Sequence, residues 1–334
     1  MSLDIINTYL YLPKNRITNE YLEKLNPNWK MKKIFSYSGV KNRFYANPNE
    51  TSLDMAHKAC KIAKRKNSNF FDKVDDLIFC TQTQDHYLPS NSSILHGLLN
   101  LKENVFTMDV NHGCSGFIYC LYLANSLIAN NTCSNILVIN ADTYSKFINK
   151  KDRSTRLLFS DAASVTLIKK SKRVKKFDCM FGSSGKNYKK LIIPAGLNRI
   201  KLSNQTKKIT IDKSGNHRNL ENIYMDGLGI LSFVNSKVPL QIKNIIKKNN
   251  LKKDKIKYFI FHQASSAALK SLKNNLSLNS KKVPEILQNG NLVSASIPYV
   301  FKKLKDKKLL KKNDVIIFSG FGVGLSWASA IYTI

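Results

Sequence analysis

The stretch Asp109-Val110-Asn111-His112-Gly113-Cys114-Ser115-Gly116 decides how the chain folds. Before it lies Val105–Val110 (VFTMDV), a short apolar run of strand character. After it lies Phe117–Asn130 (FIYCLYLANSLIAN), apolar on nearly every side. A helix that is hydrophobic all round belongs at the centre of a large protein, and 14 residues are too few to cross a bilayer. The octapeptide is therefore a strand-to-helix elbow deep in the molecule. Glycines on both sides of Cys114 allow a tight turn. A thiol at a helix N-terminus feels partial positive charge, which favours the thiolate. Cys114 is the candidate nucleophile.

Further strand-like runs lie at Leu77–Thr81, Ile136–Asn140 and Ala163–Ile168, with a helical pattern over Thr51–Lys66. The C-terminal half repeats the style. It shows helices at Ile230–Asn249, Ser265–Leu276 and Ile297–Lys307, and strands at Tyr258–Phe261, Asp314–Ser319 and Ser326–Tyr332. Strands alternating with helices imply a layered α/β fold. Both halves carry one local plan, a short apolar strand ending in a reactive residue that opens a helix: VFTMDV-NHGC-SGFIYC and KYFIF-HQA-SSAALK. An internal duplication follows, with halves 1–172 and 173–334 divided inside the basic stretch near 170–178.

His262 mirrors Cys114 at the junction in the second half, unlike His57, His86, His96, His112 and His217. Asn291 opens Gly290-Asn291-Leu292-Val293-Ser294-Ala295-Ser296-Ile297-Pro298, a loop followed by a proline suited to a helix's first turn. Gly320-Phe321-Gly322-Val323-Gly324 lacks the G-x-G-x-x-G pattern and a following helix, so no dinucleotide loop is expected. A glycine-rich hairpin there aims backbone N–H groups at an oxyanion instead.

The 334 residues carry 54 Lys+Arg against 22 Asp+Glu, a formal charge of +32. With 43% hydrophobic residues, wholesale disorder is excluded. The basic excess has three readings: a compositional bias on solvated faces, attraction of an acidic or phosphorylated carrier, or nucleic-acid binding. Nucleic acid is disfavoured, because no helix-turn-helix, zinc-finger or RNP-like signature is present and arginine is scarce. Cys60, Cys80, Cys114, Cys120, Cys133 and Cys179 form no C-x-x-C pair, so neither a zinc site nor a disulfide framework is expected. No apolar run suggests a membrane span, and the N-terminal MSLDIINTYLYLPKN has no export signal. A soluble, cytoplasmic protein is the expectation.

The ordered set Cys114, His262, Asn291 fits two enzyme types. A papain-like protease also places its histidine ~130–150 residues beyond the cysteine, but its C-G-[SA]-C-[WY] signature is missing. The other type fits at every motif. DVNHGCSGF, FHQAS, GNLVSASIP and GFGVGLSW, together with YSGVKNRFYANPNET (37–51) and RSTRLLFSDAA (153–163), resemble β-ketoacyl-acyl-carrier-protein synthase III of the thiolase superfamily. The resemblance covers essentially the whole chain. It implies a five-layered αβαβα sandwich from two duplicated halves, and a homodimer with its active site at the bottom of a narrow tunnel.

By that resemblance, Cys114 accepts an acyl group from acyl-CoA or acyl-carrier protein. Malonyl-carrier protein then loses CO₂ while His262 and Asn291 stabilise the enolate, and the carbanion attacks acyl-Cys114. The backbone N–H groups of Cys114 and Val323 form the oxyanion hole. Phe159, Ser265 and Leu88 line the acyl pocket and tunnel, with Leu88 reaching in from the partner subunit. Arg153 contacts a coenzyme or carrier phosphate. No cofactor or metal is expected beyond the substrates' own carriers. The chain also departs from the family. Lys33 and Tyr37 replace a tryptophan and an arginine that hold the adenine of coenzyme A. Ser265 replaces a channel asparagine, Ala267 replaces a docking arginine, and Val323 replaces the middle glycine of GGG. Carrier-bound substrates, or an acyltransferase forming esters or amides on the same fold, are therefore alternatives to an acetyl-CoA-primed condensation.

Overall fold

The structure is a computed structural model and describes residues 3–334. Five strands, β1 (Leu3–Tyr11), β2 (Asp76–Cys80), β3 (Phe106–Val110), β4 (Asn135–Asp142) and β5 (Ala162–Lys170), form one sheet in the order β1-β5-β4-β2-β3. β2 is buried along its whole length and β4 at all but its first residue, as in strands covered on both faces. Four more strands, β6 (Phe177–Ser183), β7 (Ile256–Phe261), β8 (Val315–Gly322) and β9 (Ser326–Thr333), form a second sheet in the order β7-β8-β9-β6. The chain passes from one sheet to the other across the basic segment between Lys170 and Phe177.

The two sheets follow one plan. In the first, β2 is parallel to β4, which is antiparallel to β5, which is antiparallel to β1. In the second, β7 is parallel to β8, which is antiparallel to β9, which is antiparallel to β6. The duplication expected from the repeated elbow is present in this topology. Among the described residues β3, which is parallel to β2, has no counterpart strand. The segment around Pro284 lies near the end of β7 and is held by a side chain. Gln263 ties that segment by its side chain, donating from Nε2 to Pro284 O at 3.3 Å and accepting from Ile286 N at 2.8 Å.

Six helices complete the layers: α1 (Ser52–Lys66), α2 (Asn91–Leu98), α3 (Gly116–Ala129), α4 (Gly227–Lys248), α5 (Ser266–Asn275) and α6 (Ser296–Asp306). α1 begins at a reciprocal Thr51–Asp54 capping box and ends in Lys64, Arg65 and Lys66, matching the helix dipole at both ends. Its Met55, Ala59 and Ala63, with Leu95 of α2, pack on Leu77, Phe79, Leu137 and Ile139, the outer face of the first sheet. α3 and α6 lie between the sheets. Phe117, Leu121, Ile297 and Phe301 touch Ile78 and Val138 on one side and Ile260 and Phe318 on the other. α4 and α5 cover the outer face of the second sheet through Val238, Ile242, Leu269 and Leu272 on Phe259, Phe261 and Ile317. The result is an αβαβα sandwich of five layers. α3 buries Phe117, Ile118, Cys120, Leu121, Ala124 and Ile128 between the sheets. Tyr122, however, is 46% exposed and Tyr119, Leu123 and Leu127 are only partly buried, so the all-round burial expected from its apolar sequence is not reached on that face. No helix among the described residues is long and apolar enough to cross a membrane.

Candidate active site

β3 ends at Val110, and the chain turns through His112 N–H donating to Val110 O at 3.0 Å and Gly116 N–H donating to Gly113 O at 2.8 Å. Cys114 sits at the top of this elbow, directly before α3. Neither Gly113 nor Gly116 adopts a positive φ, so the expected need for turn flexibility is not why they are glycines. Close approach is the reason. A Cβ at Gly113 would stand 2.5 Å from Gln82 Oε1, and one at Gly116 would stand 2.3 Å from Cys80 Sγ.

The end of β8 lies against the elbow. A Cβ at Gly320 would come within 2.5 Å of Cys114 O, and one at Gly322 within 2.9 Å of Cys114 Sγ. His262 follows β7 and donates its backbone N–H to Ser319 O at 2.8 Å, which fixes it beside Gly320. Its ring meets Phe321 edge to face at 5.7 Å, and its Nδ1 is buried without a hydrogen-bond partner. On the other side, Asn291 is anchored to Leu158–Ser160: its N–H donates to Leu158 O at 2.8 Å, and its carbonyl accepts from Ser160 N at 2.9 Å. Its side-chain Oδ1 accepts the Val293 N–H at 2.9 Å. Val293 has φ +50°, an uncommon conformation for a β-branched residue. Cys114, Phe159, Val293, Tyr144 and Leu191 form one apolar cluster. Exposure is 5% for Cys114, 1% for His262 and 5% for Asn291. Three segments far apart in sequence are thus buried and packed around the elbow.

The electrostatics of these groups follow from burial. The Cys114 thiol is pushed up to about 12, first by burial and then by the Asp142 charge, although the backbone N–H groups of Cys114 and Val323 both lower it. This overturns the expectation of a lowered thiol. In a site this dry, loss of hydration outweighs a helix N-terminus. Burial also drops His262 to about 3, so its imidazole is neutral at pH 7.

Phe159 is buried in the Cys114 cluster and pairs with Asn291 across a parallel bridge. Ser265 caps α5, accepting from Ala268 N at 3.2 Å. Ser265, Ala267, Arg153, Tyr37 and Leu158 together line one surface cavity of about 410 Å³. Lys33 is exposed and outside that lining. Leu88 is 82% exposed and stands at the rim of a second cavity of about 560 Å³, along with Gln82, Phe147 and Ile193. Neither cavity is lined by Cys114, His262 or Asn291 themselves. The sequence reading missed Asp142, Ser294, Gln82 and Tyr144. Gln82 N–H donates to Asp142 Oδ1 at 2.9 Å, and Tyr144 OH donates to Gln82 Oε1 at 2.7 Å, directly behind the elbow. No sequence signal marks Asp142, because its partner Ser294 lies 152 residues further along the chain.

Comparison with known proteins assigns the chain a family. Residues 108–185 match the family model described as 3-Oxoacyl-[acyl-carrier-protein (ACP)] synthase III, and residues 246–334 match the model of its C-terminal part. A β-ketoacyl-[acyl-carrier-protein] synthase III of Clostridium tetani is 31% identical over 98% of this chain and 97% of its own length. The chain belongs to the 3-oxoacyl-[acyl-carrier-protein] synthase III family. A putative 3-oxoacyl-[acyl-carrier-protein] synthase 3 of Campylobacter jejuni is 33% identical over 90% of this chain and 84% of that protein. A crystal structure of a 3-oxoacyl-(acyl-carrier-protein) synthase III superposes over 100% of both chains with a TM-score of 0.97 at 31% identity. As a synthase III-type enzyme the chain is a transferase of the condensing kind, a class of fatty-acid biosynthesis. The five layers are the framework of that family's fold.

Proposed function

We propose that this enzyme forms a carbon–carbon bond between an acyl group carried on Cys114 and a malonyl thioester delivered on acyl carrier protein. One observation carries the reading. The Cys114 sulfur sits in a buried elbow against Gly322, within the influence of the Cys114 and Val323 backbone N–H groups, and His262 and Asn291 are buried on the two segments that pack around that elbow. The Asn291 carboxamide has its oxygen committed to Val293 N–H and therefore presents its NH₂ end. The His262 imidazole is neutral and retains unused hydrogen-bonding capacity. Two neutral donors suit a developing enolate oxygen, where ~10²–10³ in rate per donor is typical.

The steps balance without any further cofactor. Cys114 sulfur attacks the donor thioester, the new C–S bond replaces the old one, and the thiol proton leaves with the departing thiol. Malonyl thioester then loses CO₂, leaving an enolate whose oxygen His262 and Asn291 stabilise. The enolate carbon attacks acyl-Cys114. The tetrahedral oxyanion rests on the N–H groups of Cys114 and Val323, and collapse expels the cysteine thiolate, which takes a proton from solvent. Phe159 walls the acyl chain, and Leu88 of a second copy completes that wall in a homodimer. Arg153 and Ser265 meet the phosphopantetheine arm at the 410 Å³ cavity. The Lys-rich surface attracts an acidic carrier protein in the cytoplasm.

Intact-mass spectrometry after incubation with a panel of acyl-CoA and acyl-carrier donors tests the first step. Addition of malonyl-carrier protein and identification of the released product tests the second. A 3-oxoacyl product supports the proposal. An acyl adduct that passes to an alcohol or amine acceptor, with malonyl thioester left intact, points to ester or amide formation and overturns it.

A further inference from the structure

Asp142, the last residue of β4, is 1% exposed and among the described residues pairs with no cationic side chain. A carboxylate buried without a cation is costly unless hydrogen bonds replace its water. Here they do, and each oxygen faces a different half of the molecule. Oδ1 accepts from Gln82 N–H at 2.9 Å, behind the cysteine elbow. Oδ2 accepts from Ser294 N–H at 3.3 Å and, more closely, from the Ser294 hydroxyl, 152 residues along the chain.

Ser294 is the centre of the tight turn Val293–Ala295 and is fully buried. The preceding residue of that turn, Val293, holds Asn291 Oδ1 through its N–H and does so at φ +50°. A β-branched residue in that region needs surroundings that over-determine it. The grip of Asp142 on Ser294 supplies this from the opposite half. We infer that Asp142 is a positioning residue for the Asn291 carboxamide: through Ser294 it fixes the turn that decides which way that amide points. Asp142 touches no reacting atom: it reaches Asn291 through the turn, and Cys114 only through its charge. The assignment rests on the condensing reading above, because it gives Asn291 a job only in the decarboxylation step.

The two half-reactions separate this role from a merely structural one. Acyl-enzyme formation is read by quenched-flow intact mass, and decarboxylation by release of labelled CO₂ from malonyl-carrier protein. Ser294→Ala removes one hydroxyl and leaves the carboxylate in place, so it carries the test if Asp142→Asn folds poorly. Decarboxylation in Ser294→Ala falls about tenfold to a hundredfold, the scale expected when a donor is misaimed, while acylation stays within about threefold. Asp142→Asn shows the same bias towards loss of decarboxylation. The double variant Ser294→Ala/Asn291→Ala is no slower than Asn291→Ala alone, because both changes act through one amide. Equal loss of both half-reactions, or multiplicative losses in the double variant, overturns the inference. Wild-type decarboxylation in Ser294→Ala and Asp142→Asn beside a defective Asn291→Ala overturns the inference alone. Wild-type decarboxylation in Asn291→Ala overturns both the inference and the condensing reading beneath it.

Discussion

Gly322 lies flush against Cys114: a methyl group at position 322 would stand 2.9 Å from the sulfur and 3.0 Å from its Cβ. No real Cβ contact is that short, so one of the two must move. Gly322 is the last residue of β8 and pairs with Ser326 of β9, which leaves the strand little freedom to retreat. Gly322→Ala therefore displaces the sulfur from the N–H groups of Cys114 and Val323. Acyl-enzyme formation drops by about 10²-fold, as expected for a misplacement near 1 Å. The stability cost is about 1–3 kcal/mol, typical of overpacking. Quenched-flow intact mass and a urea titration check the two numbers. An acylation rate equal to that of the wild type shows that the sulfur does not need this seat.

The thiol of Cys114 is pushed up to about 12 by burial and by Asp142, and the nearby imidazole is neutral. The resting site is therefore a thiol beside a neutral imidazole, with no thiolate–imidazolium pair. Alkylation of Cys114 by iodoacetamide, followed by peptide mapping, rises about tenfold per pH unit from pH 6 to 9 with no plateau. A plateau at low pH is the signature of an ion pair and contradicts this assignment.

Removal of the two side-chain donors divides the reaction. In His262→Ala and Asn291→Ala the sulfur and its two backbone N–H groups remain, so Cys114 still takes up an acyl group. Decarboxylation of malonyl-carrier protein falls by ~10²–10³ in each variant. Cys114→Ala, by contrast, forms no adduct. Intact mass and CO₂ release, measured on the same samples, give both quantities. Parallel losses in acylation and decarboxylation would mean that the side chains serve some other purpose.

What the sequence reveals here is set by how local the physics is. The elbow at Cys114 and its mirror at His262 are legible because each is written in consecutive residues, an apolar strand running into a helix. α3 betrays its central position through its composition alone. Asn291 is legible only through its flanking motif, and nothing in that loop predicts that Val293 adopts a positive φ. Asp142 is hidden for a plainer reason. An aspartate after Ile136–Asn140 looks like any strand ending in solvent, and its partner Ser294 lies in the other half. β1 and β6 were also missed, since both are half-buried edge strands with weak alternation. The thiol's direction was misread because sequence shows the helix N-terminus beside Cys114 and not the depth of its burial.

The depressed His262 makes a prediction about stability whose sign is fixed. In the unfolded chain a histidine takes up a proton below about 6.5, whereas burial holds folded His262 neutral down to about 3. Its contribution to stability is thus fully present above pH 6.5 and is lost as pH falls from there towards 3. Asp142 and Asp161 act in the opposite sense. Burial raises both to about 6, so what they contribute is present below the ordinary carboxylate value and is lost as pH rises through 6. Between pH 4 and 6.5 the terms overlap, and a single acid titration of the wild type cannot separate them. The difference between wild type and His262→Gln does, because the carboxylates are common to both. Urea titrations at pH 7 and pH 5 show the wild type losing about 2 kcal/mol more than His262→Gln over that interval. Equal losses in the two proteins would mean that His262 protonates in the folded state near its ordinary value. A cationic imidazole would then face the enolate, and the site would use charge where the geometry described here uses neutral donors.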